Sequence, residues 1–411
     1  MRRYLLILFL LLTSSFLYAQ DLEDEGKKED PDTEALRRWI REKRMISIKE
    51  IGGDLSLSGE VRFEFQAINE RKDGSQQRGL STEAKPVYGY DVEVNLMLDY
   101  QSERSWASIK LEFDNSVGTI SATTNKIALE KAYLGARLID GETFNFDAEL
   151  GRRNLSAVFD SKIQFSSLFD GGLLKFNKAF ESIGNFYTNL GVFLVSDLKN
   201  HYGEVVEMGM LRVANTGLYM KYSFINWKKN FSHDETLRNK RFDFAISQFQ
   251  IGYQGTVSKY EKYIKIYLAG LTNHLADKLV LSNQTFKKYN LGAYFGLSYG
   301  RILQKGDWAV DANYQYVMPQ AIPDYDVSGI SNGNTQNVGL YTLKIDGTGG
   351  ATNITNATGN ANYQGATFEF LYAISGNLTL LQNIEFSFNQ TKDFGPSMSY
   401  QKYEMEFIYA F

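Results

Sequence analysis

Cysteine is absent from this sequence of 411 residues, and proline and histidine are scarce, at 5 and 3 residues. Without cysteine no disulfide can form, and the chain cannot be processed as a lipoprotein. The histidines, His201, His233 and His274, are far apart in the sequence. Because a metal site needs several converging ligands, we expect no metal and no cofactor. No Gly-x-Ser-x-Gly elbow or Ser/His/Asp arrangement is found, so we expect no catalytic residue and no enzyme.

The sequence also has no excess of basic residues, since it contains 44 Lys and Arg and 48 Asp and Glu. A nucleic-acid partner requires a basic face, so nucleic-acid binding is not expected. Arg2 and Arg3 precede the apolar stretch 4–12, and Ala19 precedes Gln20. This pattern predicts a signal peptide over residues 1–19. Beyond it there is no apolar run long enough for a transmembrane helix.

Aromatic residues are abundant, with 26 Tyr and 28 Phe, and they recur at every second position. At the carboxy-terminus, Tyr403, Met405, Phe407, Tyr409 and Phe411 alternate with mostly polar residues. A strand points alternate side chains to opposite faces, so this segment has one apolar face and one largely polar face. That pattern is typical of a strand with lipid on one side and a wet lumen on the other.

Segments with this period of two predict an all-β transmembrane antiparallel β-barrel of about sixteen strands over residues 53–411. Short links alternate with longer ones along the chain, as in outer-membrane barrels, so both termini are expected in the periplasm. Residues 20–52 are predicted to form a charged periplasmic segment with a short helix over 34–43. The predicted strands are 53–69, 87–100, 104–114, 126–139, 143–152, 173–180, 184–195, 205–213, 217–227, 243–256, 261–272, 289–302, 307–317, 363–375, 378–390 and 400–411.

One internal segment, residues 131–153, carries Ala132-Tyr133-Leu134-Gly135, a hairpin at Asp140-Gly141, and Gly151-Arg152. It resembles the general trimeric porins of Gram-negative bacteria. The resemblance implies a homotrimer and a third loop, residues 153–172, that folds into the barrel and narrows the pore. The loop ends in Ser-Leu-Phe-Asp-Gly-Gly rather than Pro-Glu-Phe-Gly-Gly, which leaves its path open. Residues 48–62 also resemble putative porins of chlamydia-type bacteria.

The expected function is therefore passive diffusion of ions and small hydrophilic solutes across the outer membrane. Acidic residues outnumber basic ones at inward positions, which predicts a mild cation preference. By resemblance, the terminal strand is the signal read by the barrel assembly machinery, at Tyr403, Phe407, Tyr409 and Phe411. Lipid of the outer membrane is the other expected partner. The residues predicted to set the constriction and its selectivity are Arg62, Glu64, Lys110, Arg137, Asp147, Glu149, Arg152, Arg153, Asp160 and Asp170.

A second function class stays open. The connection 318–362, predicted to be a long external loop, would suit a barrel-based surface adhesin or interaction protein. A substrate-specific channel is a variant of the first class. A channel would conduct ions after refolding and an adhesin would not, so the conductance of the refolded protein distinguishes the two classes.

Overall fold

The computed structural model describes residues 46–50, 53–79, 87–117, 126–196, 201–230, 244–257, 262–276, 278, 280–281, 284–285, 287–323, 326–331, 343–346, 353–356, 361–392 and 397–411. The predicted signal peptide and the predicted helix over 34–43 lie outside the described residues. Among the described residues, no helix is long and apolar enough to cross a membrane.

In the described part of the chain, sixteen long strands and two short ones, Ile46–Glu50 and Ser75–Gln76, form one antiparallel sheet, and the sixteen long strands confirm the predicted fold and strand number. Their limits differ from the predicted ones mainly at the sixth strand, which begins at Leu168 rather than at residue 173. The strands are β1 (Gly53–Lys72), β2 (Tyr88–Gln101), β3 (Ser105–Ser116), β4 (Lys126–Asp140), β5 (Phe144–Asn154), β6 (Leu168–Phe180), β7 (Gly184–Ser196), β8 (His201–Leu211), β9 (Leu218–Asn230), β10 (Ala245–Val257), β11 (Lys262–Asn273), β12 (Leu291–Gly300), β13 (Trp308–Val317), β14 (Tyr363–Ala373), β15 (Leu378–Asn389) and β16 (Met398–Ala410).

The sheet closes on itself because β1 pairs with β16, from Glu60↔Ala410 to Lys72↔Met398. The backbone of Phe411 continues this ladder through two hydrogen bonds with Gly59, at 3.0 and 2.9 Å. Below this point a short strand, Ile46–Glu50, pairs with the first residues of β1. Closure satisfies the backbone groups that a free sheet edge would leave unpaired.

Side chains alternate between the two faces of the wall, as the period of two predicts. On β16, Phe407 and Tyr409 are exposed and point outward, as does Phe411 just after the strand, whereas Glu404 and Glu406 are buried inside the barrel. Phe407 and Tyr409 lie across from Phe63 and Val61 of β1. The outer wall is thus apolar at the seam where the barrel closes. Tyr403 also lies on this outward face.

The links between strands separate the two ends of the barrel. At one end, which we call the short-turn end, the links are brief, such as 102–104, 141–143, 181–183 and 374–377. At the other, the long-loop end, they include 73–87, 155–167, 274–290 and 318–362. The predicted alternation of short and long links is therefore present along most of the chain; the exception is at the long-loop end, where β7 ends at Ser196 and β8 begins at His201.

Tyrosine rings cover part of the inner wall of the barrel. Tyr219 lies across from Gly252, and Tyr267 lies across from Gly296. In both pairs, a side chain at the glycine would overlap the tyrosine ring. The missing side chain lets each ring lie flat against the neighbouring strand instead of projecting into the lumen.

Candidate functional site in the barrel interior

The connection from β5 to β6, residues 155–167, lies inside the barrel and is called the third loop here. It starts with a short 3₁₀ turn, Leu155–Ala157. Its apolar side chains Leu155, Phe159, Ile163 and Phe165 are almost completely buried. Because the loop is apolar where it meets the wall, burial of these side chains stabilises its inward course.

Polar contacts fasten the tip of the third loop to the opposite wall. The backbone N–H of Asp160 donates to the Glu207 carboxylate on β8 at 2.9 Å. The Asp160 carboxylate accepts a hydrogen bond from Lys221 Nζ on β9 at 2.6 Å. The Asp160 carbonyl oxygen accepts from Gln248 Nε2 on β10 at 2.8 Å. Three consecutive strands therefore hold one loop residue.

The charged side chains at this tip lie close to groups of opposite charge. Burial alone would raise the pKa of the Asp160 carboxyl, but Lys221, Lys265 and Lys162 outweigh burial and hold that pKa below its ordinary value. Lys162, two residues further along the loop, lies 3.6 Å from the Asp311 carboxylate on β13. Asp160 is thus ionised across the physiological pH range and attracts the cations of the wall.

A second inward loop packs against the third loop. It comprises the described residues of 318–331, which follow β13. Ala321, Ile322, Val327 and Ile330 are almost completely buried. This part of 318–362 was expected to be external, and its course inside the barrel was not foreseen. The sequence alone does not show which residues these apolar side chains contact, because the contacting elements are far away in the chain.

The two loops and the wall facing them form one hydrophobic cluster. It includes Phe193, Ile225, Ile246, Leu271 and Val317, from β7, β9, β10, β11 and β13. Among the described residues, neither hydrophobic cluster of the molecule contains a side chain of β2, β3, β4 or β5. The interior is therefore divided: one side is packed, and the other side is polar.

The polar side, which we call the charged wall, follows the inner face of β1–β5. Carboxylates outnumber basic side chains on it. Its charged residues include Glu60, Arg62, Glu64, Glu70, Asp91, Glu93, Asp99, Lys110, Glu112, Asp114, Glu130, Lys131, Arg137, Asp147, Glu149 and Arg153.

Ion pairs run across the strands of the charged wall. Arg62 pairs with Glu60 and lies 3.8 Å from Glu93 and 3.6 Å from Glu406. Further along the wall, Arg137 bonds Asp147 at 3.0 Å. One guanidinium among three carboxylates leaves the region around Arg62 net negative.

The balance of charge reverses locally on β5 and β6. Lys175 bonds Glu149 at 2.8 Å, and Arg153 pairs with Glu149 as well. The Arg153 guanidinium also lies 4.3 Å from the centre of the Tyr133 ring, a cation–π distance. Arg153 and Lys175 therefore share one carboxylate and form a local basic patch on an otherwise acidic wall.

A carboxylate cluster stands where β1 meets β16. Single oxygens of Glu64, Glu404 and Glu406 lie within 4.8 Å of one another. Lys402 partly neutralises the cluster, because its Nζ bonds Glu404 at 2.8 Å. Carboxylate oxygens are the ligands that hard cations prefer. The cluster is a place where a cation could be attracted or held.

Seven of the predicted constriction residues lie on the charged wall. They are Arg62, Glu64, Lys110, Arg137, Asp147, Glu149 and Arg153. Asp160 lies on the third loop, as expected.

The expected placement of Arg152 and Asp170 is corrected by the structure. β5 continues to Asn154, and consecutive strand residues face opposite sides, so Arg153 points in and Arg152 points out. Asp170 belongs to β6 and not to the loop, because β6 begins at Leu168. The two side chains form a bidentate pair on the outer face, with contacts of 2.7 and 2.9 Å.

No family model matches the sequence, and comparison with curated proteins finds no match. Solved structures with a similar fold are found. The high-pH structure of OprB from Pseudomonas putida aligns over 88% of this chain and 94% of its own, with 10% identity and a TM-score of 0.50. The outer membrane channel DcaP of Acinetobacter baumannii aligns over 88% and 99%, with 12% identity and a TM-score of 0.48. A mutant porin of Rh. blastica aligns over 87% and 100%, with 10% identity and a TM-score of 0.43. At 10% identity, the likeness to OprB shows that this chain shares its barrel fold.

Proposed function

We propose that this protein is an outer-membrane porin: a passive, water-filled channel for ions and small hydrophilic solutes. The observation that carries the proposal is the division of the wall into an apolar outer face and a charged inner face on β1–β5. An apolar outer face is favourable only when lipid surrounds it, and a charged inner face is favourable only when water fills the lumen. Sixteen strands enclose a lumen wide enough for an aqueous path. That path runs beside the charged wall, because the opposite side is occupied by the two loops.

The channel is expected to prefer cations mildly. Carboxylates exceed basic groups on the charged wall, and the cluster of Glu64, Glu404 and Glu406 adds to the excess. Fixed negative charge in a narrow passage concentrates cations and repels anions. The ion pairs around Arg62 and Lys402 reduce this field without cancelling it.

Planar-bilayer recording of the refolded protein tests both statements. We expect stable single-channel steps, and a reversal potential in a KCl gradient with the sign of potassium selectivity. The variant E64Q/E404Q/E406Q should move that potential toward zero, because it removes negative charge without changing shape. Absence of conductance would reject the channel and favour the surface-adhesin alternative. A reversal potential of chloride sign would reject the cation preference alone.

Assembly into a homotrimer is also proposed, with Arg152 and Asp170 in the contact. Beside this outward pair, Leu150 and Val192 are 60% and 54% exposed. Arg152 lies two residues from the long-loop end of β5, where an arginine facing lipid costs up to about 1 kcal/mol, and coverage by a second copy removes this exposure. The variant R152L/D170L should shift the protein from trimer to monomer on native gels in mild detergent. An unchanged oligomer would exclude this contact.

Insertion is proposed to use the terminal strand, with the periplasmic end being the short-turn end. The aromatic side chains Tyr403, Phe407, Tyr409 and Phe411 share the outward face of β16, where a receptor strand of the assembly machinery and then lipid could contact them. Their common orientation supports the proposal.

A further inference from the structure

Asp326 on the second inward loop is completely buried, with 0% exposure, and it contacts the third loop. One of its carboxylate oxygens accepts the backbone N–H of Phe165 at 3.1 Å, and the other accepts that of Ser167 at 3.1 Å. Its carbonyl oxygen accepts the N–H of Ser166 at 3.3 Å. A single residue therefore satisfies three consecutive amides of the third loop.

The neighbouring residues extend this contact into a short antiparallel ladder. Gln164 and Val327 form a β-bridge. The Ser328 N–H donates to the Ile163 carbonyl at 3.1 Å, and its hydroxyl donates to the Gln164 carbonyl at 3.1 Å. Residues 163–167 and 326–328 thus form a continuous connection, which we call the clasp.

The backbone of the third loop bends to meet the carboxylate. Phe165 has a φ of +77°, in the left-handed region that non-glycine residues rarely adopt. In this conformation the amides of Phe165 and Ser167 point to the same carboxylate, which makes an anion-binding concavity in the backbone. The buried acceptor offsets the strain of this conformation, and without it the amides would be left unsatisfied.

We propose that Asp326 is a positioning residue that fixes the third loop across the lumen by joining it to the second inward loop, so that two loops together set the width of the channel. This inference rests on the proposed function. The tip contacts at Asp160 hold the far end of the third loop, and the clasp holds its return toward β6. Loss of the clasp releases residues 165–167 from the second inward loop, so that this part of the third loop can fluctuate and the passage can widen.

The clasp is expected to weaken as pH rises. Burial raises the pKa of the Asp326 carboxyl to about 7, although the backbone hydrogen bonds from Phe165 and Ser167 lower it. In an unfolded chain this pKa is about 4. The closed clasp therefore binds a proton more tightly than the open one, and its stability falls as pH rises from about 4 to about 7.

The other charged groups on the packed elements are already paired. They are Asp160 and Lys162 on the third loop, and Glu207 on β8, Lys221 on β9, Lys265 on β11 and Asp311 on β13, on the wall. Asp160 bonds Lys221, and Lys162 lies 3.6 Å from Asp311. Asp160 stays ionised over this pH range, so Asp326 is the group of the clasp that titrates near neutrality.

The test compares D326A, D326N and D307N by single-channel recording at pH 5 and pH 8. D326A removes both acceptors, and we expect larger conductance with more open-channel noise at either pH. In the wild type we expect more open-channel noise at pH 8 than at pH 5, because the clasp weakens as pH rises. D326N keeps one acceptor and does not titrate, so it should show an intermediate conductance and no such dependence of the noise on pH. D307N is the matched control, because Asp307 accepts the amides of Leu303 and Gln304 at the short-turn end, at 2.9 Å each. It should behave like the wild type.

A disulfide lock makes the test independent of how well D326A folds. The chain has no cysteine, and antiparallel bridge partners have Cα separations in the disulfide range. We expect Q164C/V327C, oxidised during refolding, to remove pH-dependent noise, and reduction to restore it. In the D326A background, oxidation should return conductance to the wild-type value. Identical currents in D326A, wild type and both redox states would overturn the inference while leaving the channel intact. No current from the wild type would instead overturn the proposed function.

Discussion

Replacing Gly171 by alanine is expected to destabilise the barrel severely, whereas the same change at Gly172 is expected to be tolerated. A side chain at Gly171 on β6 would overlap the carbonyl oxygen of Val192 and crowd the Cα of Phe193 on β7. Both are backbone atoms, so no rotamer change relieves the clash. Overpacking of this kind costs about 1–3 kcal/mol, and more where strands must separate.

Gly172 is the matched control because it is adjacent in sequence and belongs to the same strand. A side chain there would meet only Leu150 Cδ1, at 4.0 Å, which is ordinary contact. Its effect should stay within about 0.5 kcal/mol. Urea midpoints of the refolded variants in detergent, with heat-modifiable gel migration as a folding assay, measure the difference. Equal midpoints for G171A and G172A would contradict the close approach of β6 and β7.

The barrel could be predicted from the sequence because each strand carries its own evidence. Lipid and lumen impose a period of two on every segment, so Val61 and Phe63 on β1 can be assigned outward without knowing their neighbours. Gly171 shows the limit of this reasoning. In sequence, Phe-Asp-Gly-Gly indicates a loop, but in the structure Gly171 is a strand position that lets two backbones approach closely.

The interior could be predicted only in part. The orientation of Glu64 or Glu149 follows from alternation, and so does that of Lys221. That Lys221 meets Asp160, 61 residues away, depends on how a loop crosses the lumen, and no periodicity records that. Asp326 is a stronger example, because its partners are backbone amides and any residue type can supply them. The two consecutive arginines, Arg152 and Arg153, could have been separated by alternation once β5 was extended by two residues.

Loss of the ion pair at the tip of the third loop is expected to release the loop from the wall. Lys221 Nζ lies 2.6 Å from Asp160 Oδ2, and the two side chains are 17% and 31% exposed. K221M leaves Asp160 near the Glu207 carboxylate without its ammonium partner, so like charges remain close together. The cost should be about 1–3 kcal/mol, between that of an exposed pair and that of a fully buried one.

Trypsin cleavage after Lys162 reports this release, because Lys162 follows the tip and the protease must bind the surrounding backbone in an extended form, which the loop can adopt only when it leaves the wall. We expect K221M to be cut faster than the wild type, and D160N/K221M to regain part of the protection, since the double change removes the unpaired carboxylate. K305M, in the exposed turn before β13, is the control and should be cut at the wild-type rate.

Acidification separates this anchor from the clasp. The low pKa of Asp160 means that its contribution is complete above about pH 4 and is lost only below it. Protection at Lys162 in D326N should therefore lose the pH dependence that Asp326 confers between pH 5 and pH 8, and a dependence that persists in D326N would point to Glu207 on β8, which accepts the N–H of Asp160 at 2.9 Å.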